Sequence, residues 1–239
     1  MEKIIEVKNL VKKFDSFTAN DNLTFEVKKG EIFGFLGANG AGKTTTIRIL
    51  CGLSAPTSGD VRVAGYDIYK EQEKVKQNIG YMSQKFSLYE DLTVSENIRF
   101  YGGIYGIKGE ERKRKETALL KNLEMEHARN KLIGSLPLGW KQKLAFSVAL
   151  LHDPKIIFLD EPTGGVDPIT RRRFWDLIYE TAANGTTVFV TTHYMDEAEY
   201  CDRISIMDAG KIEALDSPTN LKIQFGVKTI NEVFVSIAR

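Results

Sequence analysis

Gly37-Ala38-Asn39-Gly40-Ala41-Gly42-Lys43-Thr44 matches the spacing G-x-x-x-x-G-K-[ST], which suits the binding of a nucleoside polyphosphate. Glycines let successive backbone N–H groups curl around a β-phosphate, and a following helix adds favourable partial charge. The Lys43 ammonium can reach the β- and γ-phosphates, and the Thr44 hydroxyl can hold Mg²⁺. Two further groups have the types that phosphoryl chemistry needs. Asp160 and Glu161 end the apolar run Ile156-Ile157-Phe158-Leu159, and His193 follows the apolar stretch Thr187–Thr191. Carboxylates and a histidine at the carboxyl ends of buried strands sit where α/β sheets bind ligands. With a phosphate loop in the same chain, a phosphate-contacting role for His193 outweighs that of a structural histidine.

These groups need strands and helices to hold them. Glu31–Leu36 is an apolar run of strand length directly before the loop, and Thr45–Leu50 continues as a helix ending near Gly52. Residues 4–7 and Leu23–Val27 alternate as half-buried strands do. Val61–Val63 and Ile79–Met82 are short strands, the second ending at Ser83-Gln84. Helical character dominates from about 86 to 153. Thr93–Tyr105 and Glu110–Met125 are periodic, the basic run Lys113-Arg114-Lys115 reads as a solvated face, and Trp140, Leu144, Val148 and Leu151 form one stripe that Asp153-Pro154 stops. Asp167-Pro168 starts a helix whose Phe174, Leu177, Ile178 and Thr181 share a face, and Asn184-Gly185 closes it. Ile204–Met207 and Lys211–Ala214 flank Asp208-Ala209-Gly210, a hairpin signal. Phe14, taken alone, reads as a core aromatic at a strand end.

The 239 residues suffice for one large or two small domains, and the net charge of +1 points to no nucleic acid. Cys51 and Cys201 have neither paired nor metal-ligand spacing and suit a reducing compartment. Met1-Glu2-Lys3 leads straight into an apolar strand, so no secretory leader is expected. The apolar run Leu144–Leu151 is too short for a membrane span. A soluble, cytoplasmic protein is the expectation.

In this order, the motifs resemble the ATP-binding subunit of ABC transporters over essentially the whole chain. Gly37–Thr44 resembles its Walker A, Ile156–Asp160 its Walker B, Gln84 its Q-loop glutamine, Gly164-Gly165-Val166-Asp167 its D-loop and His193 its switch histidine. The resemblance implies an α/β P-loop NTPase cassette over 1–239. It would have a RecA-like core, an antiparallel β subdomain, and an α-helical signature subdomain near 86–153. It implies ATP and Mg²⁺ as ligands. Nucleotide contacts would come from Gly37, Asn39, Gly40, Ala41, Gly42, Lys43, Thr44 and Thr45, and Phe14 would stack on adenine, reversing its core reading. Thr44, Gln84 and Asp160 would organise the metal, directly or through water. Glu161 would polarise the attacking water, with His193 and Lys43 on the γ-phosphate.

One motif departs from the family. Its signature usually reads Leu-Ser-Gly-Gly-Gln, whereas here Leu136-Pro137-Leu138-Gly139-Trp140 stands in that place. Pro137 has neither hydroxyl nor N–H, while Gly139 and a helix start remain to face the γ-phosphate across a head-to-tail dimer. This form resembles ABC-2-type drug exporters, as do Asn39–Thr45 and the Thr191–Ala198 stretch. The expectation is therefore an ATPase subunit, homodimeric or heterodimeric, on the cytoplasmic face of a separate membrane permease that docks around Lys85–Arg99. The alternative is a soluble translation-factor or DNA-repair ATPase. A single cassette without heptads, metal-type cysteines or a basic tail argues against it.

Overall fold

The computed structural model describes residues 2–84 and 88–237. The chain opens on a long hairpin of β1 (Lys3–Phe14) and β2 (Phe17–Lys28). Both strands run well beyond the alternating segments read from sequence. Register shifts between Val7 and Leu10 and between Leu10 and Lys12 disrupt the two-residue period there. A tight turn leads into β3 (Ile32–Gly37), which is buried along its whole length and ends in the phosphate loop, followed by α1 (Lys43–Leu50). β4 (Ser58–Val63) and β5 (Tyr66–Asp67) complete a four-stranded antiparallel sheet with the order β2-β1-β4-β5.

After α2 (Gln72–Gln77), β6 (Ile79–Met82) leads to the helical segment, which holds α3 (Val94–Ile104), α4 (Gly109–Asn122) and α5 (Leu138–Ala149). Thr93 and Glu96 start α3 with a reciprocal capping box. The chain then returns through β7 (Ile156–Asp160), α6 (Pro168–Ala183), β8 (Thr187–Thr192), β9 (Arg203–Asp208) and β10 (Lys211–Asp216) to α7 (Pro218–Phe225) and α8 (Ile230–Ile237). The second sheet has the order β10-β9-β3-β8-β7-β6, parallel from β9 to β6 with β10 antiparallel at one edge.

Successive side chains of β3 serve two cores. Phe33 and Phe35 join Phe25, Phe158 and Phe189, with Phe35 and Phe189 centroids 5.2 Å apart, on the face shared with α1 and the antiparallel sheet. Leu36 points the other way, with Leu159, Val190, Phe146, Phe174 and Trp175 beneath α5 and α6. Each fully buried large apolar side chain here contributes about 1.5–3 kcal/mol of transfer free energy. The packing fixes β3, β7 and β8 side by side, so the phosphate loop, Asp160-Glu161 and His193 leave the sheet at one edge.

Several expectations need correction. Lys113 is solvated and pairs with Glu110 at 2.7 Å, but Lys115 folds inward, donating to the Leu151 carbonyl at 2.9 Å and to Asp153 Oδ2 at 2.5 Å. It thereby caps the chain leaving α5, which ends at Ala149, short of Asp153-Pro154. α4 stops at Asn122 because Glu124 adopts a φ of +56°, so Met125 lies beyond it. On α6, by contrast, the shared face holds, with Phe174 and Ile178 buried, Leu177 and Thr181 half-buried, and Trp175 buried beside them.

Candidate functional site

The phosphate loop is built by close backbone approach. Gly42 has a φ of +100°, and a Cβ there would lie 2.4 Å from the Ala19 carbonyl oxygen and 2.7 Å from Asn20 Nδ2. Buried Asn20 donates to the Gly42 carbonyl at 3.2 Å and to Thr46 Oγ1 at 3.0 Å, bracing the first turn of α1 from β2. Gly37 lies buried at the loop's start, and Ala38, Asn39 and Gly40 are exposed at its crest. Ala41 is buried, and Thr44 (exposed) and Thr45 (half-buried) lie on the first turn of α1. Lys43 is 5% exposed and donates to the carbonyls of Gly37 at 2.7 Å and Ala38 at 3.1 Å. Burial lowers its pKa, with the negative charges of Glu161 and Asp160 acting in the opposite sense.

Three elements converge on this loop. Asp160, at the end of β7, accepts from Thr191 Oγ1 at 2.7 Å and from Thr44 Oγ1 at 3.3 Å. Burial raises its pKa despite those two hydroxyl bonds. Glu161 has a φ of +50°, a conformation rare for a residue with a Cβ. Its N–H donates to the Thr191 carbonyl and hydroxyl, both at 3.1 Å, which anchors the turn to β8. The turn aims its carboxylate at three partners. Gln84 Nε2 donates to Oε2 at 2.8 Å, Lys43 Nζ lies 3.7 Å from Oε1, and His193 Nδ1 is 3.1 Å from Oε2 without hydrogen-bond alignment. Lys43, Thr44, Gln84, Asp160, Glu161 and His193 thus form one cluster at the carboxyl edge of the sheet.

Two expected contacts stand outside that cluster. Phe14 ends β1 and is 50% exposed, with Lys12 Nζ 4.7 Å from its ring centroid, so it is not a core residue. Gly139 lies in the first turn of α5, where a Cβ would come within 2.6 Å of Thr170 Cγ2. The variant signature rests on the segment following Glu161, since Gln142 Nε2 donates to the Gly164 carbonyl at 3.2 Å and a Cβ on Gly165 would sit 3.7 Å from Leu138 Cδ2. A cleft of about 290 Å³ between Gln84, Glu161, Leu138 and Gln142 separates the cluster from α5. Of the stretch expected to dock a permease, Lys85, Phe86 and Ser87 lie outside the described residues. Beyond them Tyr89 and Phe100 are exposed and meet edge to face at 5.0 Å.

Sequence reasoning missed Asn20, Gln142, Thr191 and Glu197. Each has at least one partner more than 20 residues away, and no local pattern marks such a pair.

The oxygen donors fit a magnesium ion. Mg²⁺ takes one or two protein oxygens, favours hard donors and keeps water and phosphate ligands. Here the Thr44 hydroxyl and an Asp160 carboxylate oxygen lie 3.3 Å apart, and the Gln84 amide lies on the carboxylate of the adjoining Glu161.

Residues 20–164 match the family model described as ABC transporter. The chain is 50% identical over 223 residues to the probable multidrug ABC transporter ATP-binding protein YbhF of Escherichia coli, covering 93% of this chain but only 39% of that protein. It is 38% identical over 234 residues to the linearmycin resistance ATP-binding protein LnrL of Bacillus subtilis, covering 98% of this chain and 75% of that one. Among solved structures, the dimeric post-hydrolysis state of the ATP-binding cassette MJ0796 bound to ADP and Pi superposes with a TM-score of 0.80 at 29% identity, covering 89% of this chain and 98% of that one.

Proposed function

Since this chain belongs to the ABC transporter family, we propose that it binds ATP and hydrolyses it to ADP and phosphate, driving export through a separate membrane permease. The observation that carries this reading is the convergence of Lys43, Gln84 and His193 on the Glu161 carboxylate, beside the Thr44–Asp160 pair.

The backbone N–H groups of Gly37–Thr45 and the Lys43 ammonium bind the β- and γ-phosphates, and Phe14 stacks on adenine. Thr44, Asp160 and Gln84 hold Mg²⁺, which supplies charge neutralisation on the phosphate oxygens when bound. Glu161 orients and polarises the water that attacks the γ-phosphorus, while His193 holds a γ-phosphate oxygen. The bond from the γ-phosphorus to the bridging oxygen breaks, leaving ADP and inorganic phosphate. Little covalent work falls to the protein, so positioning and electrostatics supply the rate.

Two copies, or this chain and a sister chain, pair head to tail so that Gly139 and the start of α5 face the partner's nucleotide. No helix among the described residues is long and apolar enough to cross a membrane. The chain's proposed place is peripheral, on the cytoplasmic face, docked on the permease around the Lys85–Arg99 stretch. The multidrug and linearmycin-resistance relatives support export over translation or repair. Phosphate release from ATP by the purified chain, lost when Mg²⁺ is chelated, tests the enzymatic reading. A chain that neither binds nor cleaves ATP would refute it. Copurification from membranes tests the permease.

A further inference from the structure

Glu197 is a fully buried carboxylate, at 0% exposure, in a short 3-10 turn after β8. Burying such a group is costly unless it is bonded, and an apolar side chain would fill the same volume without that cost. Its two oxygens are bonded in a specific way. The Thr163 hydroxyl donates to Oε1 in a short bond, and the Thr192 hydroxyl donates to Oε2 at 2.5 Å. Both threonines are themselves only 1% exposed.

The chain positions of those donors matter. Thr163 follows Glu161 by two residues, and Thr192 directly precedes His193. One carboxylate therefore joins the turn that carries Glu161 to the turn that carries His193. The second turn is pinned further, because Tyr194 N–H donates to Thr192 Oγ1 at 3.0 Å. Arg171 of α6 braces the same point. Its guanidinium stacks 4.0 Å from the Tyr194 ring centroid, and its Nε lies 3.6 Å from Glu197 Oε1 without hydrogen-bond alignment. Among the described residues, no hydrogen bond or ion pair runs from this group to the phosphate loop.

We propose that Glu197 is a positioning residue for ATP hydrolysis, clamping the Thr163 and Thr192 hydroxyls so that the Glu161 carboxylate and His193 hold their 3.1 Å separation. The inference rests on the hydrolytic reading above and predicts a loss in turnover without a loss in nucleotide affinity. An uncoupled pair of turns leaves Lys43 and the loop intact but lets the water-orienting carboxylate wander. A misplacement of about 1 Å costs up to ~100-fold in rate.

The test measures kcat, KM, equilibrium affinity for a fluorescent ATP analogue and melting temperature for the wild-type chain and for Glu197→Ala, Glu197→Gln, Thr163→Val and Thr192→Val. The expected result is a kcat lowered about 10–100-fold in Glu197→Ala, with analogue affinity within ~2-fold of wild type. Glu197→Gln retains most of the rate, because its amide keeps one acceptor and offers a donor to a hydroxyl that can turn round and accept. Thr163→Val and Thr192→Val fall in the same direction as Glu197→Ala. Combining either with Glu197→Ala adds little, as expected for members of one clamp. A Glu197→Ala protein with wild-type kcat overturns the proposal, and so does one that loses turnover and affinity together. Should Glu197→Ala fail to fold, the two valine variants decide, and wild-type kcat in both overturns it. A wild-type chain that does not hydrolyse ATP refutes the hydrolytic reading itself, which separates the two failures.

Discussion

Lys43 Nζ lies 3.7 Å from Glu161 Oε1, so the cation of the phosphate loop and the carboxylate at the end of β7 form one buried ion pair. Their side chains are 5% and 9% exposed. The pair joins the two halves of the proposed chemistry, since one partner binds phosphate and the other orients water. It also explains how a lysine whose pKa burial lowers stays paired with negative charge.

Replacing Lys43 by alanine removes the loop's only side-chain cation and the donor to the Gly37 and Ala38 carbonyls. Charge-assisted hydrogen bonds are worth about 1.5–3 kcal/mol each, so losing two to phosphate weakens ATP binding by about 100-fold or more. Titration with a fluorescent ATP analogue measures this, and unchanged affinity would place the nucleotide elsewhere.

Gly139 is expected to tolerate no side chain. Alanine would be favoured over glycine by helix propensity, by roughly 0.5–1 kcal/mol. Its Cβ, however, would meet Thr170 Cγ2 at 2.6 Å. Thr170 cannot rotate away freely, because its hydroxyl donates to Asp167 Oδ2 at 2.6 Å. Overpacking of this kind costs about 1–3 kcal/mol. Gly139→Ala should therefore lower the melting temperature, and adding Thr170→Ser, which removes the methyl and keeps the hydroxyl, should restore it. A thermal scan of both variants decides between this packing and an open helix start.

Glu116 of α4 should make the helical segment acid-sensitive. It is buried, which by itself raises its pKa, but hydrogen bonds from Ser95 and Arg99 and the charge of Arg129 outweigh burial and leave it lowered. The unfolded chain then binds this proton first as pH falls. The stabilisation is full above the ordinary glutamate pKa and is lost as pH drops through the lowered folded value. Glu116→Gln should cost about 1–3 kcal/mol near pH 7, as for a buried group losing charged partners. Melting curves from pH 7 to pH 3 should show the gap to wild type closing only at the acid end. A gap constant with pH would mean that the carboxylate's charge contributes nothing.

How much of this was legible in the sequence depends on the range of each interaction. β3, β7 and β8 announce themselves because strands buried on both faces are continuous apolar runs, and the phosphate loop, Asp160-Glu161 and His193 are tied to their ends. Alternation reveals only part of the β1–β2 hairpin, since Asn9 adopts a φ of +52° beside register shifts that scramble the period. Lys115 looked solvated within a basic run, yet a carbonyl 36 residues away captures it. The Glu161 backbone conformation and the Glu197 clamp were invisible, because each is set by contacts to β8 and its exit, far along the chain from β7. Gly139 was legible as a glycine kept in an altered signature, but its steric partner Thr170 emerged only in three dimensions.

The central claim is that Glu161 orients the attacking water in a site assembled from Lys43, Gln84, Asp160 and His193. Glu161→Gln keeps the side chain's shape and its place beside Gln84 but cannot act as a base. The most direct measurement is phosphate release by this variant with ATP and Mg²⁺, alongside nucleotide binding and sizing chromatography of the same sample. The predicted result is near-wild-type nucleotide affinity, turnover reduced by about 100-fold or more, and an ATP-dependent dimer that no longer dissociates. Turnover at the wild-type rate would contradict the account and move the water-activating role away from Glu161.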